Sequence, residues 1–160
     1  MGEAAVKGND KVIATLNDLL ADELTAVNQY MVHSEMCVNW HYDHLHEKIE
    51  KRAIQEMKHA EELIGRILFL EGTPVVSNLK KISIGKDVAT QLHNDMNAEL
   101  DAVRAYNEGI QLAVESADNG TRELLEDILE DEEEHLDWLE AQLEQIDQMG
   151  IQIYLSEQVE

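Results

Sequence analysis

The two halves of this chain carry the same spacing of glutamate and histidine residues. In each half a Glu is followed 33 residues later by a Glu-x-x-His motif, and a shift of 76 residues superposes the two sets. The same shift aligns Tyr30 with Tyr106. The six residues concerned are Glu23, Glu56, His59, Glu99, Glu132 and His135. We interpret the repeat as two helical hairpins related by a pseudo-twofold axis. Two copies are too few for a solenoid of stacked repeats.

Apolar residues at steps of three and four surround each of these positions, which is the spacing of an amphipathic helix. They predict four helices over residues 10–40, 43–71, 86–117 and 121–149, a connection without helical period over 73–85, and one or two helical turns in 151–160. A long middle connection lets the chain cross the whole length of a bundle. We therefore predict an all-α fold in a single domain over 1–160. It is an antiparallel four-helix bundle with a long crossover between helices two and three and a short C-terminal fifth helix.

The composition argues against several other classes of protein. One Pro and 4% aromatic residues disfavour a β-sandwich or barrel. The formal net charge is −22, so we expect no nucleic-acid partner and no anionic membrane partner, since both need a basic patch. The acidity favours cations instead. Cys37 is the only cysteine, and no apolar stretch has the length of a signal peptide or membrane span, so we expect a cytoplasmic protein.

Four glutamates at one level of an apolar bundle need neutralisation, because buried like charges repel and lose hydration. Protons, buried cations or metal ions could supply it. The apolar stripes offer no Lys or Arg at that level, which favours metal, and two divalent ions balance four carboxylates. One Glu from each of two helices, with Glu-x-x-His from the other two, is the di-iron or di-manganese carboxylate pattern. Oxygen ligands with His suit iron or manganese better than a closed zinc site. We expect oxidation of Fe(II) by dioxygen or peroxide.

Longer motifs give a resemblance to a known family. The sequences EMKHAE at 56–61, ILFLEG at 67–72 and DEEEH at 131–135 are similar to those of bacterioferritins, the haem-containing ferritins of bacteria. The resemblance covers essentially the whole chain. It implies a ferritin-like bundle and a shell of 24 subunits, built of dimers, that stores and detoxifies iron as ferric mineral. It also implies a di-iron ferroxidase centre with O2 or H2O2 as oxidant, in which Glu56 and Glu132 bridge the two ions while Glu23 and Glu99 are terminal ligands.

Met57 is a second candidate functional residue. It follows Glu56 by about 100° around the helix, so it lies off the ligand line, toward the bundle exterior. From the residues alone it is either core or interface filler or a soft haem ligand. The resemblance implies that two Met57 residues bind haem b across the twofold axis of a dimer, for electron transfer in iron release, with a ferredoxin as a possible partner. Residues expected to line the haem pocket are Leu24, Asn28, Met31, Ile54 and Lys58.

Several residues have less specific patterns. Tyr30 either hydrogen-bonds a ligand carboxylate or is an ordinary core tyrosine. The resemblance places an iron-entry pore at Asn39, Glu71 and Asp137. It also exposes a departure, because Lys51 and Gln55 stand where some bacterioferritins hold an extra iron on the inner surface with His and Asp. That inner-surface site is therefore in question here.

The sequence leaves open the roles of Trp138 and of a group of histidines, and it leaves two other functions to consider. Trp138 is either a packing residue or an electron donor near His135, and 41–46 contains three histidines that favour a solvated cluster over a metal site. A ferritin-like peroxidase resembling rubrerythrin is the second function, although one cysteine excludes the usual Cys-x-x-Cys module. A metal-free helical interaction module is the third, which the buried carboxylates disfavour.

Overall fold

The structure is a computed structural model that describes residues 6–159. The helices are α1 (Asp10–Asn39), α2 (Asp43–Phe69), α3 (Val88–Glu115), α4 (Asn119–Met149) and α5 (Ile151–Ser156). The predicted all-α bundle with a crossover and a short fifth helix is confirmed. The first residues of the polar N-terminus and Glu160 of the tail lie outside the described part. Within that part, no helix combines the length and the apolar character needed to cross a membrane.

Side-chain caps explain where α1, α3 and α4 begin. The Asn9 side chain accepts from the backbone N–H groups of Lys11 and Val12, and Asp87 accepts from that of Thr90. Asp118 accepts from that of Thr121, so α4 begins two residues before the predicted start. Such caps satisfy N–H groups that have no partner in the first helical turn. The ends of α2 and α3 fall two residues short of the predictions.

The helices pair as two hairpins, α1 with α2 and α3 with α4, and α1 also packs against α3. Two apolar clusters fill the bundle. One contains Leu16, Leu20, Leu63, Ile67, Leu125 and Ile128, and the other contains Cys37, Leu45, Ile49, Leu92, Leu139 and Tyr154. On every helix the predicted Glu lies between the residues of the two clusters. The carboxylate layer is therefore enclosed by apolar packing at both ends.

The crossover between α2 and α3 is held by buried polar side chains of α1. Thr25, Gln29 and His33 accept hydrogen bonds from the backbone N–H groups of residues 80, 83 and 85, respectively, at 2.8–3.0 Å. Asp95 on α3 lies 2.8 Å from Gln29 Nε2 and 2.9 Å from His33 Nδ1. The sequence analysis did not identify these buried polar residues. The extra polar residues satisfy backbone groups of a connection that has no helix of its own.

The fifth helix docks through one aromatic residue. Gly150, with φ 84°, turns the chain between α4 and α5, a backbone conformation that favours glycine. Tyr154 is buried, and its hydroxyl donates to Gln142 Oε1 at 2.7 Å. The end of the described chain thus packs against the cluster around Leu45 and Leu139.

Candidate metal centre

The six residues with the repeated spacing meet in the middle of the bundle. Two groups of them place ligand atoms within 4.8 Å of one another. The first group is Glu23, Glu56, His59 and Glu132, and the second is Glu56, Glu99 and His135. All four glutamates are at most 2% exposed. The structure thus brings together all six predicted residues, in two overlapping donor sets that share Glu56.

The local fold explains why the side chains converge. Glu23 comes from α1 and Glu99 from α3, while α2 and α4 each supply a Glu and a His three residues apart. Residues at this spacing lie on one face of a helix, so each pair can bind one ion. The Nδ1 atom of His59 lies 3.2 Å from Glu132 Oε1 and 3.6 Å from Glu23 Oε2. The Nδ1 atom of His135 lies 2.9 Å from Glu99 Oε1.

Two tyrosines connect the hairpins at the carboxylate layer. The Tyr30 hydroxyl donates to Glu99 Oε1 at 2.5 Å, and the Tyr106 hydroxyl donates to Glu23 Oε1. Burial and the nearby carboxylates raise the pKa of both tyrosines well above its usual value, so both remain donors. Of the two alternatives for Tyr30, the structure shows the hydrogen bond. Tyr106 was not predicted, although the 76-residue repeat aligned it with Tyr30.

The outer nitrogens of the two histidines have different surroundings. His59 Nε2 lies 2.9 Å from Asp131 Oδ2, a partner that the sequence analysis did not identify. Such an outer carboxylate fixes the orientation of a metal-binding imidazole. The ring of His135 instead stacks on Trp138, with centroids 5.9 Å apart and an interplanar angle of 15°. Trp138 therefore packs on the centre, and its role as an electron donor stays a prediction.

Arg52 contradicts the prediction that no Lys or Arg reaches this level. Its side chain is buried, and Nη2 lies 2.7 Å from Glu56 Oε1, 3.1 Å from Glu132 Oε2 and 3.8 Å from Glu99 Oε2. Its Nη1 donates to Gln55 Oε1 at 2.7 Å. Arg52 lies one turn before Glu56, and its long side chain extends along the bundle to the carboxylates. The pattern of apolar residues along a helix indicates where each Cα atom lies, but it does not show how far a long side chain such as that of Arg52 extends.

Burial and mutual charge divide the four carboxyl groups into two pairs. Desolvation, followed by the charge of Glu56, raises the pKa of Glu23 and of Glu132 well above the usual value. Desolvation also opposes ionisation of Glu56, yet its close contacts with Glu23 and His59 and the charge of Arg52 lower its pKa. Contacts with Glu132 and His135 lower the pKa of Glu99 against desolvation.

His59, the histidine of the first donor set, lies among these carboxyl groups. Burial disfavours its cation, but the adjacent carboxyl groups of Glu23 and Glu56 raise the pKa of His59 to about 10. These shifts favour the neutral forms of Glu23 and Glu132 and the charged forms of Glu56 and Glu99. Arg52 and His59 thus lie beside the two carboxyl groups that ionise more readily, which reduces the cost of burying charge.

The inward-facing atoms fit divalent cations. Among the described residues, several buried atoms of the layer lie close to charged neighbours but make no hydrogen bond of favourable geometry, namely Glu23 Oε2, Glu56 Oε1, His59 Nδ1, Glu99 Oε2 and Glu132 Oε1. Buried polar atoms without partners are unusual in proteins. Carboxylate oxygens and imidazole nitrogens facing one space are the donors that iron and manganese prefer. The donor chemistry therefore fits two such ions.

Two openings lead from the centre. A cavity of about 200 Å³ lies beneath the crossover and contacts Glu23, Glu56, Glu99 and Glu132. At its rim, Lys80 Nζ lies 2.7 Å from Asp22 and 3.0 Å from Asp18. A cleft of about 440 Å³ between α2 and α4 is lined by Lys51, Arg52, Gln55, Glu134, His135 and Asp137. The centre is thus approachable from two sides of the bundle.

The remaining predicted residues lie away from the centre. Met31, Ile54, Met57 and Lys58 are exposed, while Leu24 and Asn28 are half-buried. Asn39, Glu71 and Asp137 are exposed, and of these Asp137 lines the cleft beside His135. In the histidine cluster, His41 and His44 are exposed, and His46 Nδ1 lies 3.0 Å from the carbonyl of Ser34. The haem and pore assignments stay predictions.

A four-helix bundle with a Glu and His layer at its middle defines the class of ferritin-like proteins. The ferritin-like domain family matches residues 13–149 of this chain. A bacterioferritin of Mycobacterium bovis is 39% identical, covering 93% of this chain and 94% of its own length. A bacterioferritin of Brucella melitensis is also 39% identical, with 93% and 92% coverage, and a bacterial ferritin of Paramagnetospirillum magnetotacticum is 43% identical, with 94% and 93%. The chain belongs to the bacterioferritin family.

Proposed function

We propose that this protein stores and detoxifies iron by acting as a ferroxidase. Two Fe(II) ions bind as substrate between the four glutamates and two histidines, are oxidised to Fe(III), and pass on to a ferric mineral. The observation that carries the proposal is the buried layer of carboxylate and imidazole atoms that face one another without hydrogen bonds of favourable geometry, which two divalent cations would satisfy. The similarity to bacterioferritins over more than nine-tenths of the chain supports iron as the metal.

Each residue of the layer has a distinct role in this proposal. Glu56 and Glu132 bridge the ions, Glu23 and Glu99 are terminal ligands, and His59 and His135 each bind one ion through Nδ1. Tyr30 and Tyr106 hold the terminal carboxylates in place through their hydroxyl groups. The ions compete with protons for Glu23, Glu132 and His59, whose pKa values are raised, because metal ligands must be deprotonated. The two ions supply two electrons, which with two protons reduce dioxygen to hydrogen peroxide, or hydrogen peroxide to water.

Storage requires an assembly, for which we propose a shell of 24 subunits built of dimers. The net charge of −22 supports it, because an acidic shell attracts Fe(II) and offers sites for mineral growth. Exposed Asn39, Glu71 and Asp137 would line the route of entry. We propose a single domain over 1–160, acting in the cytoplasm without nucleic-acid or membrane partners.

A haem at the dimer interface is the second element of the proposed function. Met57 is 46% exposed, and Met31 and Ile54 are exposed to a similar extent. A thioether with apolar neighbours on an outer helical face fits the iron and the porphyrin of haem b, and a twofold axis would supply the second Met57. Bound haem would supply electron transfer for iron release, with a ferredoxin as a possible donor. Nothing in this arrangement requires the haem for Fe(II) oxidation.

Size-exclusion chromatography after aerobic Fe(II) loading tests the function. We expect a particle of shell size that retains many irons per subunit and shows the absorbance of ferric mineral. A small species that consumes hydrogen peroxide without retaining iron would instead support the rubrerythrin-like alternative. Failure to bind or oxidise iron at all would support the metal-free helical module.

A further inference from the structure

Arg52 lies where the second of two metal ions would lie. Each proposed bridging carboxylate directs one oxygen toward His59 and the other toward Arg52. For Glu132, Oε1 is 3.2 Å from His59 Nδ1 and Oε2 is 3.1 Å from Arg52 Nη2. For Glu56, Oε2 is 3.7 Å from His59 Nδ1 and Oε1 is 2.7 Å from Arg52 Nη2. The guanidinium therefore occupies the position opposite His59, within 3.8 Å of Glu99.

The pseudo-twofold repeat is broken at this point. The 76-residue shift aligns Arg52 with Ile128, which is buried in an apolar cluster. It also aligns Asp131 with Gln55. The ion position beside His59 consequently has the carboxylate of Asp131 on its outer side and no guanidinium. The ion position beside His135 instead has Arg52 and the neutral amide of Gln55, which accepts a hydrogen bond from Arg52. The two ion positions are chemically unequal.

We propose that Arg52 is a built-in competitor for the second metal ion and makes the two ions bind in order. The inference rests on the proposed dinuclear centre. The first ion binds at Glu23, Glu56, His59 and Glu132. The second ion binds at Glu56, Glu99 and His135 only after the guanidinium has moved away.

Arg52 leaves by movement, because a guanidinium keeps its charge at all accessible pH values. The cleft of about 440 Å³ already includes Arg52 and His135 and offers Glu134 and Asp137 as exposed acidic partners. Arg52 Nε has no hydrogen-bond partner among the described residues, so the inward position is incompletely satisfied. Return of Arg52 helps to expel the second ion after oxidation, which suits a centre through which iron passes.

Binding of Co²⁺ to the metal-free, full-length protein under anaerobic conditions tests the proposal. Titration calorimetry and the visible Co²⁺ absorption count the ions without any turnover. We expect the wild type to bind one ion tightly and the second at least about tenfold more weakly, a typical strength of coupling between sites. Arg52→Leu and Arg52→Gln should tighten the second ion by about tenfold or more. The matched control Arg122→Leu changes a half-buried arginine at the start of α4, which pairs with Glu126 away from the centre, and should leave both affinities unchanged.

Each outcome separates this proposal from the function on which it rests. Two ions with equal affinities in the wild type and in the foldable Arg52 variants would overturn the role of Arg52 and keep the dinuclear centre. Fewer than two ions in the wild type and in these variants would overturn both. A crystal structure of the Co²⁺-loaded wild type gives an independent readout. Arg52 in the cleft would support the proposal, and Arg52 still beside Glu56 would overturn it.

Discussion

Tyr106 on α3 donates a hydrogen bond to Glu23 on α1, so a donor from the second hairpin orients a carboxylate of the first. Tyr30 and Glu99 form the reciprocal pair, at 2.5 Å. The two bonds cross the interface between the hairpins and couple their packing to the geometry of the carboxylate layer. Their exchange between the halves also shows that the sequence repeat corresponds to a real structural symmetry.

Tyr106→Phe should keep the fold and slow the first phase of Fe(II) oxidation several-fold. Phe preserves the packing but lacks the hydroxyl group that donates to Glu23. Loss of this hydrogen bond should lower the free energy of unfolding by about 1–2 kcal/mol. Stopped-flow absorbance and thermal unfolding measure the two effects. Tyr154→Phe is the matched control, since its hydroxyl bonds to Gln142 away from the centre. Tyr154→Phe should lower the melting temperature without slowing oxidation. Equal oxidation rates in Tyr106→Phe and Tyr154→Phe would contradict the role of the Tyr106 hydroxyl at the centre.

Glu23→Ala should slow rapid Fe(II) oxidation by about tenfold or more without unfolding the bundle. Burial and the charge of Glu56 raise the pKa of Glu23, which favours its neutral form in the metal-free protein, so the substitution should leave fewer buried charges to accommodate. Circular dichroism checks the fold and stopped-flow absorbance checks the rate. Glu61→Ala, at an exposed position of α2, serves as the control. A wild-type oxidation rate in Glu23→Ala would count against Glu23 as a ligand.

Met57→Leu should abolish the haem absorption bands and leave Fe(II) oxidation intact. The substitution removes the thioether while keeping an apolar side chain of similar volume. Met31→Leu is the control and should retain the haem bands, because it changes another exposed methionine that is not assigned as the axial ligand. Haem bands that persist in Met57→Leu would remove Met57 from that role.

Asp118 should stabilise the protein in a pH-dependent way. Burial opposes its ionisation, but hydrogen bonds from Thr121 and Arg66 hold the pKa of Asp118 below the usual 3.8. Because the folded-state pKa is the lower one, the stabilisation is complete above the unfolded-state pKa and is lost as pH falls through the folded-state value. The melting temperature of Asp118→Asn should therefore fall below that of the wild type at pH 7, and the gap should narrow near pH 3.

The matched control for this effect is Asp101→Asn. Asp101 is exposed and pairs with exposed Arg104 at 3.1 Å, a kind of ion pair that contributes little. Its melting temperature should follow the wild type at both pH values. A gap for Asp118→Asn that is the same at pH 7 and pH 3 would show that the carboxylate charge does not stabilise the fold.

The sequence by itself determined the helices, the crossover and the six residues that meet in the candidate centre. Helical periodicity is a local property, so the spacing of apolar residues and the 76-residue repeat were sufficient to predict the helices and the position of the carboxylate layer. The family resemblance added the proposed haem at Met57, which a single chain does not test.

Only the tertiary structure decided what surrounds the ligands. The contacts of Arg52 with Glu99 and Glu132, and of Asp131 with His59, join residues on different helices. Such contacts depend on the relative rotation of the packed helices and on the reach of long side chains. A periodic pattern along one helix shows neither the rotation of the helix nor the extent of a side chain. It therefore predicted four glutamates that need counter-charge, but it did not predict that Arg52 lies among them.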